Sequence, residues 1–186
     1  DFPHLVFHLP YAFQARRMFS EIFMEELKAG GDWVEFILRN ELEVPCADDY
    51  ENREQYITSC ADFLKMVTKT TDYKTFVQER IAPGEWASSR VGNLYAGSVF
   101  LSLMGTLEHL LKEEGEVAGR SICVFAYGSG SKSKVFGATI QPGWREVATG
   151  LDIELRLNFR QAINYDTYEQ LHRRNLTKNV AMQTGS

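Results

Sequence analysis

Between residues 94 and 111 the chain is apolar or small at nearly every position until Glu108. A helix of that composition has no polar face to turn to water, so it has to be enclosed between other layers. Ala96, Gly97, Ser98 and Gly105 within it permit neighbouring backbones to approach closely. The flanking sequence supplies candidate layers. Residues 4–9 (HLVFHL) read as a short buried strand stopped by Pro10, and residues 121–127 (SICVFAY) as a second buried strand. A Gly/Ser turn leads from the latter into an expected partner strand over residues 134–140. The class is therefore mixed α/β.

Helical patterns fill most of the rest. Ala15, Phe19, Ile22, Phe23 and Leu27 recur at helical spacing until Gly30-Gly31 ends them. Residues 33–52 are mixed and acidic, and Pro45 with Asp48-Asp49 marks them as an irregular connection. Tyr56, Cys60, Phe63, Leu64 and Val67 predict a second amphipathic helix continuing towards Phe76, and Pro83-Gly84 predicts a break. From Gly143 the pattern is helical again, with Asp166 expected as a helix cap before Tyr168 and Leu171. Residues 1–177 are read as one folded part and residues 178–186 as a polar, frayed tail.

Composition excludes several classes of function. With 12% aromatic residues and a net charge of −5 in 186 residues, neither disorder nor a broadly cationic nucleic-acid surface is expected. The uncharged stretch over residues 91–107 is too short, and too rich in Gly, Ser and Asn, for a comfortable membrane span. Cys46, Cys60 and Cys123 form neither a disulfide framework nor a zinc pattern, so the chain is expected to be cytoplasmic and reduced. Because it starts at Asp1 and enters an apolar run at once, it is read as a mature subunit or a piece of something longer.

Four spots are candidates for chemistry, and each has a plainer reading. His8 sits at a strand end fixed by Pro10, where it acts on a ligand or is a satisfied structural histidine. His4 shares its strand face, but no acidic or cysteine partner stands at metal spacing, so no metal site is expected. Asn93, in the run Val91-Gly92-Asn93-Leu94-Tyr95, is either a helix N-cap or an amide holding a substrate carbonyl. Tyr127-Gly128-Ser129-Gly130 lacks the spacing of a phosphate loop and is read as a hairpin turn whose N–H groups and hydroxyl face any ligand beside it. Arg16-Arg17 is either solvated surface or a phosphate contact.

In this order, a Phe-His-x-Pro-aromatic strand end, Val-Gly-Asn-x-Tyr-x-x-Ser on a buried helix, and a strand ending Tyr-Gly-Ser-Gly closely resemble the C-terminal part of 3-hydroxy-3-methylglutaryl-CoA synthases. Gly92-Asn93 alone is also similar to type III ketoacyl synthases, but these carry a His-Gln-Ala-Asn-type segment from which FHLPY departs. The resemblance implies a thiolase-like fold of layered helices and sheets. It further implies condensation of acetyl-CoA with acetoacetyl-CoA, with coenzyme A thioesters as substrates, no bound cofactor, and a place in a mevalonate-type route. His8 matches the histidine that polarises the acetoacetyl group, Asn93 the asparagine that positions it, and Tyr127, Gly128 and Ser129 the turn lining the same pocket.

The family's nucleophilic cysteine and general-base glutamate lie in an N-terminal half absent from this chain, so a partner half and an oligomer are expected. Lysines are usual where this chain has Arg16 and Arg17, which are expected at coenzyme A phosphates. Ser131-Lys132-Ser133-Lys134 replaces the more usual small apolar residues. That leaves two further readings open: a polyketide β-branching synthase acting on a carrier-protein-bound ketoacyl group, or a non-catalytic acyl- or pantetheine-binding partner.

Overall fold

The computed structural model describes residues 2–113, 116–128 and 130–175. Ser129 and the tail over residues 178–186 lie outside the described residues. The chain divides into two compact units, residues 1–152 and 153–186.

The first unit opens with β1 (His4–Phe7), then α1 (Ala15–Met18), α2 (Ser20–Gly30) and α3 (Trp33–Arg39). A 3₁₀ turn at Ala47–Asp49 leads to α4 (Arg53–Val67) and α5 (Thr71–Phe76). The π-helical turn Val77–Ile81 runs into α6 (Ala82–Val91), and the 3₁₀ turn Tyr95–Gly97 into α7 (Ser98–Lys112). β2 (Ser121–Gly128), β3 (Lys132–Thr139) and α8 (Trp144–Leu151) complete it. In the second unit lie α9 (Ile153–Asn158) and α10 (Tyr165–His172).

The sheet has the order β1-β2-β3, with β1 parallel to β2 (His4 opposite Ile122, Phe7 opposite Phe125) and β2 antiparallel to β3. All four β1 side chains are buried, as a strand covered on both faces requires. Strand alternation sends Leu5 and Phe7, followed by Leu9, into one core with Phe23, Phe36, Phe63, Tyr73, Phe76 and Cys123. Val6 joins the other, with Leu110, Ile122, Val124, Trp144 and Ala148. Burial pushes the Cys123 thiol up, so this cysteine is a packing residue and not a poised thiolate.

Several local expectations are corrected. The segment read as irregular contains α3, because Gly31, with φ 87°, closes α2 in a left-handed cap and Trp33 and Phe36 then pack inward. The helix expected to run towards Phe76 breaks near Thr70, whose hydroxyl caps α5 by accepting from Tyr73 N–H at 3.2 Å. Pro83 and Gly84 do not interrupt a helix. They lie where the π-helical turn Val77–Ile81 becomes α6, and that wider turn accommodates a proline with no N–H to give to the preceding carbonyls. β3 begins at Lys132, two residues before its expected start. Asn164, not Asp166, caps α10, accepting from Thr167 N–H at 2.8 Å.

The close approach expected of the small residues on α7 occurs against α6. Trp86 Nε1–H donates to the Gly105 carbonyl at 3.0 Å, and a Cβ on Gly84 would stand 2.4 Å from Ser102 Oγ. That hydroxyl is itself held by Phe7 N–H at 3.3 Å, so it moves only by giving up the bond. Gly84→Ala is expected to cost about 1–3 kcal/mol of stability through overpacking. An unchanged denaturation midpoint would show that the two helices have room to part. The helix is not enclosed on every side, however. Phe100 is 65% exposed, because the sheet and α6 cover only part of its circumference.

Candidate functional site

The alternation that buries Val6 turns His4 and His8 to the same side of the strand, the side on which α7 lies. The two histidines reach opposite ends of that helix. His4 borders a hollow with His109 and Glu113, and burial lowers its pKa from the ordinary histidine value. His8 lies by the N-terminus, where Ser98 Oγ is 2.7 Å from its Nδ1. Ser98 and His109 stand 11 positions apart, about 16 Å of helix, so the shared face does not bring the two imidazoles together.

His8, Asn93, Tyr127 and Gly128 line one cavity of about 510 Å³, together with Pro10, Tyr95 and Ala96. The Tyr127 ring stands perpendicular to the imidazole with centroids 4.8 Å apart. Its hydroxyl is buried with no hydrogen-bond partner among the described residues, and burial raises its pKa. A buried phenol without an acceptor points to a ligand or surface that completes it.

Asn93 is not the cap of α7. Gly97 holds that position without a side-chain bond, while Asn93 Oδ1 accepts from Tyr95 N–H at 2.7 Å. Gly92 before it has φ 89°, a conformation that glycine adopts without strain, and Tyr95 is held at φ 50°. The asparagine's carbonyl is thus used by its own loop, which orients its amide NH₂ as a donor.

Arg16 and Arg17 do not join this cavity. They border a separate groove of about 720 Å³ with Ser20, Glu21, Leu64, Lys65 and Thr68. Arg16 also has a partner inside the fold. Its Nε is 2.5 Å from Glu85 Oε2, a carboxylate on α6 that is 1% exposed, and its guanidinium lies over Phe13. Tyr73 O–H donates to the Arg16 carbonyl at 2.7 Å, and burial, with the Glu85 carboxylate beside it, pushes that phenol up to about 12. Lys65, on a helix some fifty residues further along the chain, is the cation sequence reasoning missed at this groove, since nothing local distinguishes it from any surface lysine.

Ser98 was legible only as a small residue of the buried helix. Its motif placed it five residues beyond Asn93, but only the packing of α7 on β1 brings it to the imidazole. No helix among the described residues is long and apolar enough to cross a membrane.

The model of the family described as hydroxymethylglutaryl-coenzyme A synthase C terminal matches residues 1–184. A hydroxymethylglutaryl-CoA synthase of Haloferax volcanii is 26% identical over 172 residues, covering 92% of this chain and 38% of that protein. The hydroxymethylglutaryl-CoA synthase ERG13 of Gibberella zeae is 28% identical, covering 91% of this chain and 35% of that protein. Among solved structures, MvaS in complex with 3-hydroxy-3-methylglutaryl coenzyme A superposes with a TM-score of 0.60 at 22% identity, covering 92% of this chain and 34% of that one. PksG, an HMG-CoA synthase from Bacillus subtilis, gives 0.57 at 21% identity, with 92% and 32% covered. The chain therefore spans about a third of the length of the relatives it matches.

Proposed function

Because the chain belongs to the C-terminal family of hydroxymethylglutaryl-CoA synthases and has their thiolase-like α/β fold, we propose that it forms the acetoacetyl-binding side of a condensing active site. The complementary N-terminal half, in an oligomeric assembly, carries the cysteine and the glutamate. One observation carries the reading: His8, Asn93 and Tyr127, drawn from three distant parts of the sequence, line a single cavity.

In the proposed reaction, acetyl-CoA acylates the other half's cysteine and coenzyme A leaves. The glutamate takes a proton from the acetyl methyl, and the resulting carbanion attacks the ketone carbon of acetoacetyl-CoA. The C=O π pair moves to oxygen, which becomes an alkoxide. His8 and the Asn93 amide donate hydrogen bonds where this charge develops, and the alkoxide takes up the proton that the glutamate removed, giving the tertiary alcohol and restoring the carboxylate. Donors fixed before the reaction stabilise the charge without reorganising at the moment of attack. Water then cleaves the thioester, freeing the cysteine and the product carboxylate. Cysteine suits the first step because its thioester divides one hard condensation into easier stages.

Arg17, with Lys65 beside it, is proposed to hold coenzyme A phosphate, Arg16 contributing only what its pairing with Glu85 leaves. Arg17→Ala is expected to raise KM for the CoA thioester with kcat and stability unchanged; a loss of stability instead would assign it to the fold.

Assembly with a half bearing the cysteine and glutamate tests the function directly. Radiolabelled acetyl-CoA is expected to label that half and not this chain, and acetoacetyl-CoA then to chase the label into product. Binding of acyl-CoA without turnover in that assembly would make the chain a non-catalytic acyl-binding partner. The exposed Lys132 and Lys134, on the strand that pairs with Gly128, favour a second reading in which a carrier protein delivers the ketoacyl group. Turnover of acetoacetyl-carrier protein but not of acetoacetyl-CoA would select it.

A further inference from the structure

We infer that Ser98 is a positioning residue that fixes His8 in the tautomer with its proton on Nε2. The inference rests on the reading of His8 as the donor to the acetoacetyl ketone and specifies how it donates.

Two bonds meet at Ser98 Oγ. Leu9 N–H, which can only donate, lies 2.9 Å away, and His8 Nδ1 lies 2.7 Å away. The serine is 0% exposed, so water does not take its hydroxyl proton. Among the described residues, the acceptor within reach of that proton is Nδ1. The hydroxyl therefore accepts from the strand and donates to the ring. Were Nδ1 protonated, both neighbours would donate to Oγ and the hydroxyl proton would be buried without an acceptor, the costly arrangement. A neutral imidazole that accepts at Nδ1 carries its proton on Nε2, the nitrogen not bonded to Ser98.

Ser102 is the internal control. One turn along the same face of α7, it accepts from the next outward-facing β1 donor, Phe7 N–H, at 3.3 Å, while the bond to the imidazole is made by Ser98. The two serines thus share the task of satisfying the strand edge. Of the two, Ser98 is the one bonded to the histidine.

The test uses the assembled enzyme with ¹⁵N-histidine in this chain, the His8 signals being assigned by their loss in His8→Ala. In the wild type, Nδ1 is expected to give the unprotonated, pyridine-type signal and Nε2 the protonated one. In Ser98→Ala the signals should move towards a mixture of tautomers, with kcat falling about tenfold to a hundredfold, the range typical of orienting partners. KM for acetoacetyl-CoA should move far less. Ser98→Thr, which keeps the hydroxyl, should restore both readouts, whereas Ser102→Ala should leave tautomer and turnover as in the wild type.

A protonated Nδ1 in the wild type overturns the inference, and this measurement stands even if Ser98→Ala does not fold. An unchanged tautomer in a folded Ser98→Ala overturns it too. Should the wild-type tautomer be as expected while no form condenses acetoacetyl-CoA, the Ser98 assignment stands and the proposed function falls.

Discussion

His8→Ala is expected to lower kcat for condensation by about 10²–10³-fold while leaving acetylation of the other half's cysteine intact. The magnitude follows from the removal of one preorganised donor to a developing oxyanion. The selectivity follows from the place of His8 in the cavity with Asn93 and Tyr127, where the ketone is proposed to lie. Acetyl transfer precedes the ketone's involvement, so it has no use for this donor. Single-turnover measurements separate the steps: the labelled acetyl-enzyme should form at the wild-type rate and then persist when acetoacetyl-CoA is added. Loss of both steps together would mean that His8 supports the architecture of the site and not its chemistry. Unimpaired condensation would remove the histidine from the mechanism.

The second large effect is on stability. Arg16→Met removes the partner of Glu85, whose carboxylate is 1% exposed and whose second oxygen has no hydrogen bond among the described residues. Breaking a fully buried pair from one side costs about 3–5 kcal/mol. The Arg16 side chain is 41% exposed, so water reaches its position and a loss of about 2–3 kcal/mol is expected.

The pH dependence has a definite sign. Burial raises the Glu85 pKa above its ordinary 4.5, although Arg16 pulls the other way. A raised folded pKa means that folding favours the protonated carboxyl. Its contribution is therefore fully present below pH 4.5 and is lost as pH rises through the folded value. Arg16→Met raises that pKa further, so the deficit should be largest near neutrality and shrink in acid. Glu85→Gln in the same background should recover much of the stability at neutral pH. A deficit independent of pH would show that Arg16 acts through packing on Phe13 and not through charge.

A great deal of this architecture was open to inspection in the order of the residues. Six consecutive residues, HLVFHL, contain a buried strand and its two-residue alternation, and that alternation is enough to place His4 and His8 on one face. The apolar and small positions of α7 announced a helix with close neighbours, and Gly84 and Gly105 meet them. The combination of motifs around His8, Asn93 and Tyr127 was sufficient to find residues that line one cavity. Short-range signals were weaker where an element is brief. The seven residues of α3 give less than two turns of periodicity, and Pro83-Gly84 reads as a break unless one knows that a helix starts just before it.

Sequence alone determined β1, β2 and the long helices α2, α4 and α7, and which histidine ends the first strand, because these follow from local periodicity and turn chemistry. Tertiary structure alone decided what those groups touch. The bond from Ser98 to His8 spans 90 positions and the ion pair from Arg16 to Glu85 spans 69, and no periodic pattern links residues so far apart. Arg16 and Arg17 are neighbours in the chain, yet one is bound to a buried carboxylate because α1 packs against the Val77–Ile81 turn that leads into α6. The proton on an imidazole and the pairing of a guanidinium depend on partners that only folding brings within hydrogen-bond distance.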